Sequence, residues 1–143
     1  MEPSHVLVAL DGSPLADDAL SHALAVYDCR VTVLNIITPL DATMSEGGIL
    51  DPKQSRKEAA HERAERLIER AASSATGLGR PIETAVETGD PAEAIVDYAA
   101  QNDVDHIVMG SHGGEQGKLT RRLLGTVSTA VLAESSVSVS VIR

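Results

Sequence analysis

The sequence predicts a doubly wound α/β domain with a five-stranded parallel sheet and helices on both faces. Two observations predict this fold: the alternation of two kinds of segment, and the length and hydrophobic content of the chain. Short β-branched apolar runs alternate with longer segments whose apolar residues recur at helical spacing, and such alternation is typical of parallel strands joined by right-handed crossovers. The 143 residues, of which 43% are hydrophobic, are enough for one domain with its own core. We therefore expect residues 1–143 to form a single domain with the strand order 3-2-1-4-5.

The predicted strands and helices follow one another regularly along the chain. Five apolar, β-rich runs predict strands at residues 5–10, 30–37, 81–87, 106–109 and 137–142. Ser13 and Asp90 each precede a proline, an arrangement that favours a helix start, and Ser55 with Glu58 has the spacing of a capping box. The helix after Ser55 combines an apolar stripe with a charged face, and a fourth helix is predicted from about residue 126 to 134. Residues 38–52 contain Pro, Asp and paired Gly, which predicts a long flexible loop of the kind that often acts as a lid.

A glycine-rich segment follows the fourth predicted strand and concentrates the local positive charge of the chain. Gly110, Gly113, Gly114 and Gly117 lack a Cβ, so the backbone there can turn with positive φ and bring N–H groups close to an anion. Three basic residues stand against one acidic residue in this segment, a local charge of about +2 in a chain whose formal net charge is -9. The helix start at Thr126 adds free N–H groups on the far side. The segment indicates a phosphate site, and the alternative is a flexible surface loop with solvated charges.

The first and fourth strands are neighbours in the predicted strand order, at the point where that order reverses. Ligands of doubly wound sheets bind at the carboxyl ends of the strands at such a point. Asp11 follows the first strand and Gly110 ends the fourth, so the two residues should lie on opposite sides of one crevice. Asp11 then has two interpretations: an ordinary turn residue before Gly, or an acceptor of hydrogen bonds from a ribose or adenine.

Composition excludes several classes of function. The two tyrosines are the only aromatic residues and the net charge is negative, so no nucleic acid partner is expected.

The single Cys29 and the lack of a membrane-length apolar run predict a cytoplasmic protein without membrane contact. The histidines show no metal-ligand spacing, so we predict no metal site built from protein ligands.

Motif spacing excludes several catalytic and cofactor classes as well. The turn after the first strand lacks the G-x-G-x-x-G pattern of NAD sites, and Asp11 lacks the acidic neighbour that a response-regulator receiver needs. Residues 113–118 are one residue short of a Walker A loop, and Leu119 stands where Ser or Thr would hold magnesium. Ser111 does not sit in a nucleophile elbow because Met109 replaces the first glycine. No catalytic residue is predicted.

Residues 8–13, 87–95 and 107–113, together with residues 124–127, resemble the universal stress protein (UspA) family, and the likeness covers the whole chain. The resemblance implies a Rossmann-like, adenine nucleotide alpha hydrolase-like domain that is usually dimeric. In one subgroup of the family this domain holds ATP at the switch point, where Mg²⁺ or Mn²⁺ would be held by the phosphates. By this resemblance, the adenine and ribose would be lined by Ala9, Asp11 and Ile36. The ribose and phosphates would contact Met109, Gly110, Ser111 and Gly113. The remaining phosphate contacts would come from Gly125, Thr126 and Val127.

The sequence departs from the ATP-binding subgroup at the phosphate loop. That subgroup shows the pattern G-x2-G-x9-G-[ST], whereas eleven residues separate Gly113 from Gly125 here. The loop is thus two residues longer, and the amides that would surround the triphosphate are expected to be displaced. Lys118, Arg121 and Arg122 could offset this displacement by reaching the phosphates with their side chains.

The sequence-based hypothesis is a stress-response protein that binds ATP or a related adenine nucleotide as a sensor or switch. Two alternatives stay open: a nucleotide-free dimeric protein-interaction module, in which the longer loop contacts a protein, and a slow ATP hydrolase, for which no general base is evident. The last predicted strand, which begins at Val137 and ends at Ile142, alternates apolar and small polar residues as edge strands do. With the family's usual dimer, this pattern predicts a homodimer through that strand.

Overall fold

A computed structural model of the protein describes residues 2–38, 52–111 and 126–143. Strands and helices alternate throughout this part of the chain, as the sequence predicts. The strands are β1 (His5–Ala9), β2 (Arg30–Ile37), β3 (Glu83–Thr88), β4 (His106–Gly110) and β5 (Ser138–Ile142). The helices are α1 (Pro14–Val26), α2 (Pro52–Gly77), α3 (Pro91–Gln101) and α4 (Thr126–Glu134). Most of the predicted lid loop and most of the glycine-rich segment, residues 39–51 and 112–125, lie outside the described residues.

The strands form one parallel sheet in the order β3-β2-β1-β4-β5. The predicted strand order is therefore confirmed. Val8 of β1 pairs with Val33 of β2 on one side and with Val108 of β4 on the other. The carboxyl ends of β1 and β4 consequently lie next to each other, which makes this position the switch point of the sheet.

Alternate residues of β1 pack into different apolar layers on the two faces of the sheet. Val6 and Val8 belong to the core cluster that contains the buried alanines of α1 and the end of α2. Leu7 belongs to a second cluster, which contains the apolar residues of α3 and α4. Because both faces of the sheet are covered, the strand is apolar at every one of these positions.

The helix caps of α1 and α3 have the predicted geometry. The Ser13 hydroxyl accepts a hydrogen bond from the N–H of Ala16 at 3.2 Å, and Pro14 follows as the first helical residue. The Asp90 carboxylate accepts one from the N–H of Glu93 at 3.1 Å. Each cap satisfies one of the N–H groups that a helix start leaves without a partner inside the helix.

The predicted start of α2 is wrong. We expected a capping box at Ser55 and Glu58, but α2 already begins at Pro52, so both residues lie within the helix. A proline is favourable at the first helical position because its fixed φ suits the helix and its missing N–H costs no hydrogen bond there. No helix-breaking residue stands between Pro52 and Ser55, so nothing in the sequence delays the start.

Strand ends differ from the sequence prediction by one or two residues. β3 runs from Glu83 to Thr88 instead of residues 81–87. Pro81 has no N–H to donate to the sheet, and Thr88 pairs with Ile37 of β2. β5 begins one residue later than expected, since the N–H and the carbonyl of Val137 both bond to the hydroxyl of Ser135 at 3.0 and 2.9 Å. β1 ends at Ala9 and β4 extends to Gly110. With these ends, Asp11 still follows β1 and Gly110 still ends β4, as expected.

The apolar stripe of α2 packs against the same face of the sheet as α1. Ala60 and Ala64 are buried against Ile37 at the end of β2, and Ala71 and Ala75 join the core cluster that contains α1. This packing places the first half of α2 beside the carboxyl end of β2. Among the helices of the described residues, none has the combination of length and hydrophobicity needed to cross a membrane.

Candidate functional site

A cavity of about 1250 Å³ lies at the carboxyl ends of β1, β2 and β4. Its walls are the turn between β1 and α1, the ends of the three strands, the starts of α3 and α4 and one side of α2. Small-molecule pockets usually measure about 300–1,000 Å³, so this cavity has room for a nucleotide. The site residues expected from the family resemblance that line it are Ala9, Asp11, Ile36, Met109, Gly110, Thr126 and Val127.

Asp11 is exposed at the cavity and also holds the turn after β1. Its Oδ1 atom accepts a hydrogen bond from the N–H of Ser13 at 2.9 Å, and Gly12 between them has a φ of 86°. This is the geometry of an Asx turn, so the turn interpretation is realised. The Oδ2 atom accepts no hydrogen bond within the described residues, so it can still accept one from a ligand.

Gly110 is required for close packing, whereas the sequence analysis expected it to allow a turn with positive φ. A Cβ at this position would lie 2.9 Å from the carbonyl carbon of Leu15 and 3.1 Å from the backbone nitrogen of Ala16. The missing side chain therefore lets the end of β4 approach the start of α1. The φ of Gly110 does not lie in the left-handed region, so the expected positive-φ turn is not found at this residue.

Ser111 is buried and uses its backbone groups within the fold. Its N–H donates to the carbonyl of Ile142 at 2.9 Å, and its own carbonyl accepts from the Ser128 hydroxyl at 2.7 Å. Ser111 is not among the residues that line the cavity, and its contact with a ligand stays a prediction. Gly113 and Gly125 lie outside the described residues, as do Lys118, Arg121 and Arg122.

Ser128, which sequence reasoning missed, joins the start of α4 to the end of β4. Its hydroxyl lies 2.9 Å from the carbonyl of Gly110 as well as 2.7 Å from that of Ser111. The side chain is almost fully buried, with 1% exposure, and the residue lines the cavity. The first turn of α4 is thus fixed against the end of β4.

Asn35 also lines the cavity and was missed. It is a buried side chain of β2 whose Nδ2 donates to the carbonyl of Leu10 at 2.7 Å. This bond ties β2 to the turn that carries Asp11. A single amide within a β-branched apolar strand is a signal that could have indicated it, because buried amides need hydrogen-bond partners.

Three arginines on α2 face the same cavity and were not predicted as site residues. Arg63, Arg66 and Arg70 are spaced three and four residues apart, which places them on one side of the helix, and Glu69 lines the cavity beside them. The sequence predicts a charged face for this helix. It does not predict that part of this face is turned toward the switch point, because that depends on the packing of α2 on the sheet.

The titratable groups with clearly shifted pKa values lie away from the cavity, toward the amino ends of the strands. Burial lowers the pKa of His106, and the hydrogen bond from Arg30, at 2.8 Å, lowers the pKa of the Glu83 carboxyl. In the described ranges, no cluster of three or more His, Cys, Asp or Glu side chains is arranged to hold a metal ion. The cavity offers a ligand apolar surface, the carboxylates of Asp11 and Glu69, arginine side chains and a helix start.

Comparison with known sequences gives a family match over nearly the whole chain. The sequence model of the universal stress protein family matches residues 3–143. The universal stress protein YxiE of Bacillus subtilis is 30% identical, and the alignment covers 96% of this chain and 97% of YxiE. A universal stress protein of Mycobacterium tuberculosis is 34% identical over 99% of this chain but only 47% of its own length. The chain thus spans about half the length of the mycobacterial relatives it matches.

Solved structures of universal stress proteins have the same fold. The protein UspA from Lactobacillus plantarum superposes with a TM-score of 0.83 at 23% identity, covering 100% of this chain and 99% of that one. A universal stress protein in complex with cAMP gives a TM-score of 0.71 at 22% identity, with the same coverage of 100% and 99%. A family protein from Arabidopsis thaliana with AMP bound gives 0.70 at 18% identity, covering 98% and 91%. By its sequence match and its fold, the chain belongs to the universal stress protein family.

Proposed function

We propose that this protein binds an adenine nucleotide, ATP in the first place, in the cavity at the carboxyl edge of the sheet. The observation that supports this most is that residues from separate segments of the sequence, from Ala9 and Asp11 to Met109 and Val127, line one cavity at the switch point. The AMP and cAMP bound to two structural neighbours of the same fold support an adenine nucleotide as the ligand class.

The chemistry of the cavity walls fits the parts of such a ligand. Ile36, Met109 and Val127 provide apolar surface for a base, and Asp11 keeps one carboxylate oxygen for a ribose hydroxyl or the adenine amino group. The start of α4 at Thr126 supplies free N–H groups that favour a phosphate. A Mg²⁺ or Mn²⁺ ion, if required, would be held by the phosphates themselves.

The wider role that we propose is that of a sensor or switch in the cytoplasmic stress response, without efficient catalysis. In this proposal residues 1–143 act as one domain, and two copies associate through β5. β5 is an outer strand of the sheet with half-buried side chains, which leaves its outer edge able to pair with a second copy.

Isothermal titration with ATP tests the nucleotide proposal. The informative variant is Asp11→Asn, because an Asn side-chain oxygen can still accept the hydrogen bond from Ser13 while the second acceptor is lost. Hydrogen bonds to charged groups contribute about 1.5–3 kcal/mol, so the Kd for ATP should rise about tenfold or more. Asp28→Asn is the matched control, since Asp28 lies outside this cavity and the same charge is removed.

The possible outcomes separate the three functional hypotheses. ATP binding that Asp11→Asn weakens and Asp28→Asn leaves unchanged supports the proposal. No binding of ATP, ADP, AMP or cAMP by the wild-type protein rejects it in favour of a nucleotide-free interaction module. Phosphate release above background that disappears in Asp11→Asn would show slow ATP hydrolysis. Mass spectrometry of any small molecule released from the purified protein identifies the physiological ligand.

A further inference from the structure

The side of α2 that faces the cavity presents Arg63, Arg66 and Arg70, which together we name the arginine wall. Glu69 lines the cavity next to the wall, so this side of α2 carries three guanidinium groups and one carboxylate. This positive surface is notable in a chain whose formal net charge is -9. It belongs to a different element from the start of α4, so the cavity has two separate surfaces that attract an anion.

The packing of α2 fixes the arginine wall beside the turn that carries Asp11. The side chain of Leu67, between Arg66 and Arg70, packs so closely on Gly12 that a Cβ there would lie 3.1 Å from its Cδ2 atom. Gly110 packs on the start of α1 just beyond the same turn. The turn that carries Asp11 therefore lies between α2 and the end of β4. A ligand on this turn shares its cavity with the arginine wall.

The guanidinium groups of the wall differ in their partners. Arg70 lies 3.9 Å from the carboxylate of Asp17, a long contact between two exposed side chains. Arg63 and Arg66 make no ion pair with a carboxylate anywhere in residues 2–38, 52–111 and 126–143. Their hydrogen-bond donors are therefore available to a ligand, and guanidinium groups are well suited to phosphate oxygens because they can donate two parallel hydrogen bonds.

We propose that Arg63 and Arg66 bind phosphoryl groups of the nucleotide in this cavity and so make the protein prefer a chain of two or three phosphates over a single one. The inference rests on the proposed nucleotide-binding function and names the part of the ligand that α2 recognises. The wall provides phosphate contacts that do not depend on the longer glycine-rich loop. Selectivity for ATP over AMP then comes from side chains of α2, and it decreases with increasing salt.

Isothermal titration with ATP, AMP and inorganic tripolyphosphate tests the arginine wall. The wild-type protein is compared with the double variant Arg63→Gln/Arg66→Gln. The control is Arg30→Gln/Lys57→Gln, which removes the same charge at positions outside the cavity, in one case within α2 itself. Loss of two charge-assisted contacts should weaken ATP and tripolyphosphate binding about tenfold or more, and AMP binding less than about threefold. Circular dichroism checks that α2 remains folded in each variant.

The outcomes distinguish this proposal from the proposed function. Equal affinity of the wild-type protein for ATP and AMP, unchanged in the double variant, overturns the arginine wall and leaves nucleotide binding in place. Tripolyphosphate binding that depends on Arg63 and Arg66, without binding of any nucleotide, supports the wall and overturns the nucleotide function. A protein that binds none of the three probes contradicts both. Equal weakening of ATP binding in the control variant would show that only overall charge matters, which also overturns the wall.

Discussion

At Gly110 the end of β4 and the start of α1 are so close that one added methyl group would not fit. A Cβ would meet the Cβ and the backbone carbon of Leu15 at 2.9 Å each, and backbone atoms cannot move aside cheaply. We expect Gly110→Ala to lower the free energy of unfolding by about 1–3 kcal/mol, the usual cost of overpacking. Urea denaturation followed by circular dichroism measures this loss.

Gly77→Ala provides the matched control for Gly110→Ala. Gly77 is the last residue of α2, and a Cβ there would meet nothing within 4 Å. Since alanine also restricts the unfolded chain, this change should be neutral or stabilising by up to about 1 kcal/mol. Equal stability of the two variants would show that the close approach of β4 to α1 is not what requires the glycine.

His106 links β4 to β5 and to the end of α1, and it should make folding depend on pH. Its Nε2 atom lies 2.8 Å from the Ser140 hydroxyl and 3.3 Å from the Tyr27 hydroxyl. Burial lowers the pKa of this imidazole below its usual value of 6.5, so the unfolded chain takes up the proton more readily. As far as His106 is concerned, the free energy of unfolding is therefore highest above the unfolded pKa. It falls as the pH drops through 6.5 toward the lower pKa of the folded state.

Urea unfolding of the wild-type protein and of His106→Gln at about pH 7.5 and about pH 5.5 measures this contribution. We expect the wild-type protein to lose more stability than the variant between these two values, because only the wild-type protein has the imidazole whose pKa is lowered by folding. Carboxylates contribute equally to both proteins and cancel in the comparison. An identical loss in the two proteins would contradict the role of His106.

Among the helices, α3 shows most directly how a side chain sets an element's boundary. Asp90 caps this helix through the N–H of Glu93, and it lies outside the cavity. Asp90→Ala should cost about 1 kcal/mol of stability, as is typical of a lost N-cap, and urea denaturation measures this loss. The matched control is Asp97→Ala in the exposed middle of the same helix, where alanine favours the helix. A similar cost for both changes would show that Asp90 does not act as a cap.

Helix starts could be predicted from the sequence where a capping side chain stands directly before a proline. Ser13 and Asp90 both do so, and both caps are confirmed. The start of α2 was predicted at Ser55 on residue spacing alone and was wrong, because Pro52 is itself a favourable first residue. Spacing thus identified the helix, and the local geometry of proline decided where it begins.

For the molecule as a whole, the parallel sheet and its strand order could be predicted because alternation of strands and helices leaves few ways to connect them. The position of Asp11 and Gly110 at one cavity followed from that order. The arginines of α2 could not be assigned to the cavity, because the sequence does not fix which side of a charged helix faces the sheet edge. Asn35 could have been found, since a buried amide in an apolar strand needs a partner.

The two outer strands of the sheet are β3 and β5, and the proposed homodimer uses β5. Pairing of an exposed strand edge with its copy is favoured because it satisfies backbone groups that would otherwise bond only to water. Sedimentation velocity at micromolar concentration should therefore give the mass of two chains. A single species with the mass of 15.0 kDa would contradict the dimer.

The central claim is that the carboxyl edge of the sheet, at the switch point between β1 and β4, binds an adenine nucleotide. Titration of the ¹⁵N-labelled protein with ATP, followed by NMR of the backbone amides, locates the contact directly. We expect the largest shift changes in residues 9–13, 35–37, 109–111 and 126–128, and little change at residues 102–106 on the opposite edge. An unchanged spectrum, or changes confined to the opposite edge, would contradict the claim.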